Sequence, residues 1–160
     1  MSSSKPASRG SLKARKTAAR LFAVQAVYQA IQNKEPPSKL HDEFITYRIG
    51  MDLEDTAEGG GQMVAPDQPL FRDILSGVTE RWGDLQQIIQ PRLKVTNAVE
   101  PLLTAILVCG TYELMAHHDI DAPIILSDYI NITASFFESS EPKLVNAVLD
   151  ALSKELRPVN

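Results

Sequence analysis

Polar groups that could act together are few in this chain of 160 residues, and most fail on spacing. His117 and His118, with Asp119 and Asp121 close behind, have the side-chain types of a metal site. Neighbouring residues on a helix point about 100° apart, so the pair cannot chelate as an i, i+4 pair would. A helix end where His is favourable is the simpler expectation. Cys109 lies inside the apolar run LLTAILVCGTYELM and reads as a small buried hydrophobe, not a nucleophile. The triple glycine Gly59–Gly61 has no Lys-Ser/Thr after it and no strand before it, and nearby acids would repel a phosphate. Asn131-Ile-Thr133 fits a glycosylation sequon, but no secretory signal accompanies it. Catalysis therefore has no support, and no cofactor or metal is expected.

Charge carries more information. Seven of the 16 Lys and Arg fall in the first 34 residues, and all 20 Asp and Glu lie beyond them, although the net charge is only −4. A basic N-terminus on an acidic body either attracts a polyanion or is simply solvated. Lys13, Lys16 and Arg20 would share one stripe of a helix. Cations in a first turn oppose the helix dipole, which favours a binding role for them. A second polar stripe, Lys143, Asn146 and Asp150, runs beside the apolar Val145, Val148, Leu149 and Leu152. It is either a solvated edge or a contact surface.

Six helical segments would position these groups. Residues 1–12 read as a disordered basic tail, with the folded part at 13–158. The first helix runs from about Ser11 to Gln32 and stops before Pro36-Pro37. Ser38 is placed to cap a second, carrying Leu40, Phe44 and Tyr47 and closed by Gly50. Residues 51–69 read as a flexible acidic, glycine-rich loop. Asp67 is placed to cap a third helix, with Phe71, Ile74, Leu75, Val78, Trp82 and Leu85 on one face, broken at Pro91. A fourth, from about Asn97 to His117, is apolar nearly all round and should be the most buried. A fifth runs from about Pro123 to Phe137, and a sixth from Ser140 to before Pro158. No stretch alternates with period two, so the expected fold is all-α, a compact bundle of six to seven helices in two small subbundles. No apolar run reaches the ~18 residues of a membrane span, and a cytoplasmic protein is expected.

Four segments in order carry a family resemblance: ARKTAARLFAVQAVYQA (Ala14–Ala30), LFRDILSGV (Leu70–Val78), GTYELMAHHDIDAP (Gly110–Pro123) and FFESSEPKLVNAVLDALSKELRP (Phe136–Pro158). Together they resemble the NusB transcription antitermination factors, especially the alphaproteobacterial form. The resemblance implies a helical protein that binds boxA-type RNA with the ribosomal protein NusE, in a complex on RNA polymerase favouring read-through of ribosomal RNA operons. Carried over, Lys13, Arg15, Lys16 and Arg20 would contact phosphates, and Lys143 and Asn146 would approach the RNA from the last helix. Gln25 and Tyr28 are further RNA candidates, Tyr28 also suiting the core. Tyr112 and Glu113, with the fifth helix, would meet the partner. Three positions depart from the family pattern: Leu144 for an aromatic, Val108 for an Arg and Ser127 for an Asn. A helical interaction scaffold with little RNA binding of its own is the alternative. A methyltransferase that carries the same helical domain would need about 200 further residues and a doubly wound sheet.

Overall fold

The computed structural model describes residues 10–49, 64–93 and 100–158, the side chains of 47–49 excepted. Every regular element among them is helical. Helix α1 (Leu12–Asn33) begins where the Ser11 hydroxyl accepts the Ala14 N–H at 3.1 Å. It ends at Lys34, whose left-handed backbone (φ 59°) directs its N–H to the Ala30 and Ile31 carbonyls. Ala19, Ala23, Ala26 and Ala30 are buried along it. Such small side chains let neighbouring helices approach closely, and α1 packs on both Gln68–Glu80 and Pro101–Ala116.

After Pro36 a 3₁₀ turn (Pro37–Leu40) leads into the short α2 (His41–Glu43) and a π-helical stretch, Phe44–Ile49. Ser38 does not cap this element as the sequence suggests, because Pro36 takes the N-cap position. The Ser38 backbone N–H is instead held by the Thr79 hydroxyl at 2.9 Å. Helix α3 (Gln68–Glu80) is capped as expected, the Asp67 carboxylate accepting from Leu70 N–H at 3.0 Å. The third expected helix is two: Arg81 interrupts it, α4 (Trp82–Ile89) follows, and a 3₁₀ turn at Gln90–Arg92 contains Pro91. The expected 51–69 loop is also too long at its C-terminal end, since Gln68 and Pro69 belong to α3.

Helix α5 (Pro101–Ala116) is the most enclosed, with every residue from Ala105 to Leu114 buried. Helices α6 (Ala122–Phe136) and α7 (Ser140–Leu156) complete the chain. α6 and α7 pack on each other and on α5, while α1, α3 and the 37–40 turn form the other group. The α1–α5 contact joins the two groups, and one continuous apolar core runs through both. The fourth expected helix starts at Pro101, later than the expected Asn97, because Glu100 is extended (ψ 140°) and takes the N-cap position. The expectations for residues 1–9, the 51–63 loop and Gly50 as a helix stop lie outside the described residues.

One close approach fixes the α3–α5 packing. A Cβ built on Gly77 would lie 2.1 Å from the Tyr112 ring, so only glycine admits the ring there. By contrast, a Cβ on Gly83 in α4 meets nothing within 4 Å. Gly77→Ala should therefore destabilise the fold by about 1–3 kcal/mol through overpacking. Gly83→Ala should stabilise it by about 0.4–1 kcal/mol through the unfolded chain. Denaturant melts of the two variants should move in opposite directions.

Candidate RNA-binding interface

The first turns of α1 carry the basic stripe, and the structure divides its members. Lys13 is exposed and forms no ion pair with a described residue. Arg15 is half-buried, its Nε donating to the Ala65 carbonyl at 3.1 Å. Lys16 Nζ lies 3.6 Å from the Asp67 carboxylate, and the Asp67 backbone N–H donates to the Arg15 carbonyl at 3.0 Å. The segment that begins α3 thus holds both Arg15 and Lys16.

Arg20 is not at the surface, which corrects its assignment as a phosphate contact. Only 1% of the residue is exposed. Its Nε and Nη2 donate to the two oxygens of Glu113 at 2.7 and 3.1 Å, and Nη1 donates to Asp128 Oδ2 at 2.6 Å. The Tyr129 hydroxyl adds a third donor to Glu113 at 2.6 Å, and Thr17 Oγ1 lies 2.9 Å from Asp128 Oδ2. Burial opposes the arginine's charge, but the Glu113 hydrogen bonds and charge, helped by Tyr129 and Asp128, hold its pKa above the ordinary value. Burial likewise pushes Glu113 upward; the hydrogen bonds from His117, Arg20 and Tyr129 outweigh it and hold the carboxyl below its usual range.

Tyr112 and Glu113 are corrected in the same way. Glu113 is fully buried within this network. Tyr112 is 5% exposed, its ring is packed over Gly77, and its hydroxyl donates to Asp73 at 3.0 Å. Burial and the Asp73 carboxylate push its phenol up to about 12. Neither side chain presents a face to a partner. His117, read as a simple helix end, bridges Glu113 and Asp73. Arg157 closes the same end of α5, its guanidinium donating to the carbonyls of Leu114 at 2.9 Å and of Ile120 and His117 at 2.5 Å.

On α7 the polar stripe also separates. Lys143 and Asn146 are exposed and make no hydrogen bond or ion pair with a described residue, so Asn146 is not a local cap. Asp150 is half-buried and pairs with Lys154 at 3.2 Å. Beside them lies a groove of about 340 Å³ lined by Pro91, Arg92, Leu144, Ala147, Val148 and Ala151. Leu144 packs partly into the core and partly along this groove, and Arg92 at its rim pairs with Glu155. No hydrogen bond or ion pair between described residues joins the α1 cations to the α7 edge. The route between them is indirect: Thr17 meets Asp128 on α6, and α6 packs on α7. Of the remaining candidates, Gln25 is half-buried with no side-chain partner among the described residues, whereas Tyr28 packs against the core and its hydroxyl meets Gln32 at 3.4 Å.

A family model described as the NusB family matches residues 17–154, which takes in every described helix except the first turn of α1 and the last of α7. The chain belongs to the NusB family. Among curated relatives, the transcription antitermination protein NusB of Novosphingobium aromaticivorans is 37% identical over 145 residues, covering 89% of this chain and 95% of the relative. The NusB proteins of Sinorhizobium fredii and Mesorhizobium japonicum are each 36% identical over 143 residues, covering 88% of this chain and 86% and 89% of the relatives. A solved structure of T. maritima NusB superposes with a TM-score of 0.67 over 89% of this chain and 93% of that one. At 21% identity it speaks for the fold, and it agrees with the all-helical architecture.

Arg20→Met should leave Glu113 and Asp128 as buried carboxylates without their counter-ion and cost about 3–5 kcal/mol. Arg20→Lys should not restore this, because an ammonium cannot supply the planar fork of donors. In both the wild type and the variants, denaturant melts should show Lys13→Ala within about 0.5 kcal/mol of its parent. The depressed Glu113 carboxyl adds a pH dependence. Its contribution is complete above its unfolded value of about 4.3 and is lost as pH falls through the folded value. An acid titration of stability should therefore be steeper for wild type than for a Glu113→Gln variant.

Proposed function

We propose that this NusB-family protein works in transcription antitermination by holding boxA-type single-stranded RNA jointly with the ribosomal protein NusE, in the cytoplasm. The complex sits on RNA polymerase and favours read-through, notably of ribosomal RNA operons. The role is one of binding, with no bond made or broken. The observation that carries the RNA reading is the pair Lys143 and Asn146, whose exposed side chains have no partner among the described residues and lie beside an apolar groove. Lysine gives phosphate affinity without sequence information, while an amide reads base edges and an apolar surface accepts a base face. Leu144 supplies that surface here without the stacking an aromatic would add.

On α1, Lys13 is the cation ready for phosphate. Arg15 and Lys16 join it only by leaving Ala65 and Asp67, so RNA competes with internal contacts for them. With Arg20 internal as well, the chain alone holds RNA weakly and the partner completes the site. The partner surface moves from Tyr112 and Glu113 to the outer face of α6. There Ile124, Ser127, Asn131 and Ala134 are exposed at helical spacing, and Asp128, the helix's one charged residue, is turned inward.

A salt titration with boxA-type and scrambled RNA tests this reading. Lys13→Ala with Lys16→Ala should flatten the slope of log affinity against log salt by about 1.4, at ~0.7 per single-strand contact. Asn146→Ala should leave the slope unchanged and reduce discrimination between the two RNAs. If wild type shows neither slope nor discrimination with NusE present, the protein is a helical scaffold without RNA binding. Ile124→Glu should weaken NusE binding in the absence of RNA, measured by calorimetry, and leave the thermal melt of the free protein in place.

A further inference from the structure

His117 closes the C-terminus of α5 with both ring nitrogens committed to carboxylates from different helices. Nδ1 lies 2.9 Å from Glu113 Oε1, one turn earlier on α5, and Nε2 lies 2.5 Å from Asp73 Oδ2 on α3. Glu113 also accepts from Arg20 and Tyr129, so it is ionised. A neutral imidazole has one N–H and one bare lone pair. In either tautomer one nitrogen would aim a lone pair at a carboxylate oxygen, whereas the imidazolium donates to both. Its position at the end of α5, toward the negative end of the helix dipole, favours the same charge.

The surrounding charges are mixed but mainly acidic. Asp73 comes from α3, Glu113 and the Tyr112 hydroxyl from α5, and Asp119 from the following turn. Lys16 of α1 and Asp67 lie across the same shallow groove, already paired with each other. Arg20 of α1 is spent on Glu113 and Asp128, and the Arg157 guanidinium beyond α7 is held on carbonyls, that of His117 included.

We propose that His117 is a proton-operated latch, its imidazolium clamping the first turns of α3 onto the end of α5 and its neutral form letting Asp73 go. The two partners are not equal. Glu113 is fully buried and cannot exchange a lost donor for water, whereas the Asp73 side chain is 49% exposed and can. The remaining proton therefore stays on Nδ1, and the Asp73 contact is the one released. Tyr112 still donates to Asp73, so α3 loosens without leaving. The same end of α3 carries Asp67, the partner of Lys16, so the latch reaches the basic end of α1.

Burial works against the imidazolium, but Glu113 and Asp73 raise the ring's pKa above its ordinary value. The clamp is then complete below the unfolded value of about 6.5 and is lost as pH rises through the folded one. The test is the His117 ring titration by NMR in wild type and Asp73→Asn, with thermal melts of wild type, His117→Gln, Asp73→Asn and the double variant at pH 6 and pH 9. The titration midpoint should fall in Asp73→Asn. At pH 6 the double variant's loss of Tm should be smaller than the two single losses together, and at pH 9 that coupling should vanish. An unchanged midpoint, or coupling equal at both pH values, overturns the latch. Asp73→Asn leaves the Arg20 network untouched, so the ring titration decides the matter even if His117→Gln fails to fold.

Discussion

The bond on which the other placements depend is the guanidinium of Arg20 inside the protein. It brings α1, α5 and α6 to one point through Glu113 and Asp128. An isolated charge there would cost several kcal/mol. Hydrogen bonds to the two carboxylates, three from Arg20 and one each from Tyr129, Thr17 and His117, offset that cost. Such a network adds little net stability compared with an apolar core of the same volume. What it does fix is geometry. A planar fork reaching a carboxylate on α5 and another on α6 admits one rotation and one height of α1.

That constraint decides what α1 offers outside. With Arg20 turned inward, Lys16 one turn earlier lies at the α3 cap, and Lys13 is carried clear of the body. The same buried Asp128 receives Thr17 from α1 and belongs to α6, which packs on the helix bearing Lys143 and Asn146. The two exposed edges are thus set relative to each other through one buried charge cluster. His117 extends the cluster to α3, its ring bridging Glu113 and Asp73.

The apolar pattern was legible in the sequence. The extents of α1, α6 and α7 and the C-terminal end of α5 follow from Ser11, from Pro123 and Pro158 and from the unbroken run around Cys109, because burial periodicity and capping are local. Family membership was legible too, from four segments in register. The polar interior was not. Lys13, Lys16 and Arg20 form a stripe on a helical projection, and only continuing it exposes the error: the next positions, Val24 and Val27, are fully buried, so the stripe dives into the core at Arg20. Tyr112 and Glu113 sit in the most enclosed helix, which itself argued against a surface role. Nothing local marks Asp128 as the partner of Arg20, or Arg157 as a donor to the Glu113 carbonyl, since those contacts join residues 108 and 44 positions apart. The hold of Thr79 on the Ser38 N–H is likewise a tertiary contact.

On the proposed function, Arg20 holds the fold while its neighbours on the same helix meet RNA. Side-chain NMR of the protein with NusE, before and after adding boxA-type RNA, tests it most directly. The Arg20 Nε–H should be visible, slow to exchange and unmoved by RNA, while the Lys13 ammonium and the Asn146 amide shift. A large RNA-induced shift at Arg20 with Lys13 and Asn146 unmoved would contradict the account.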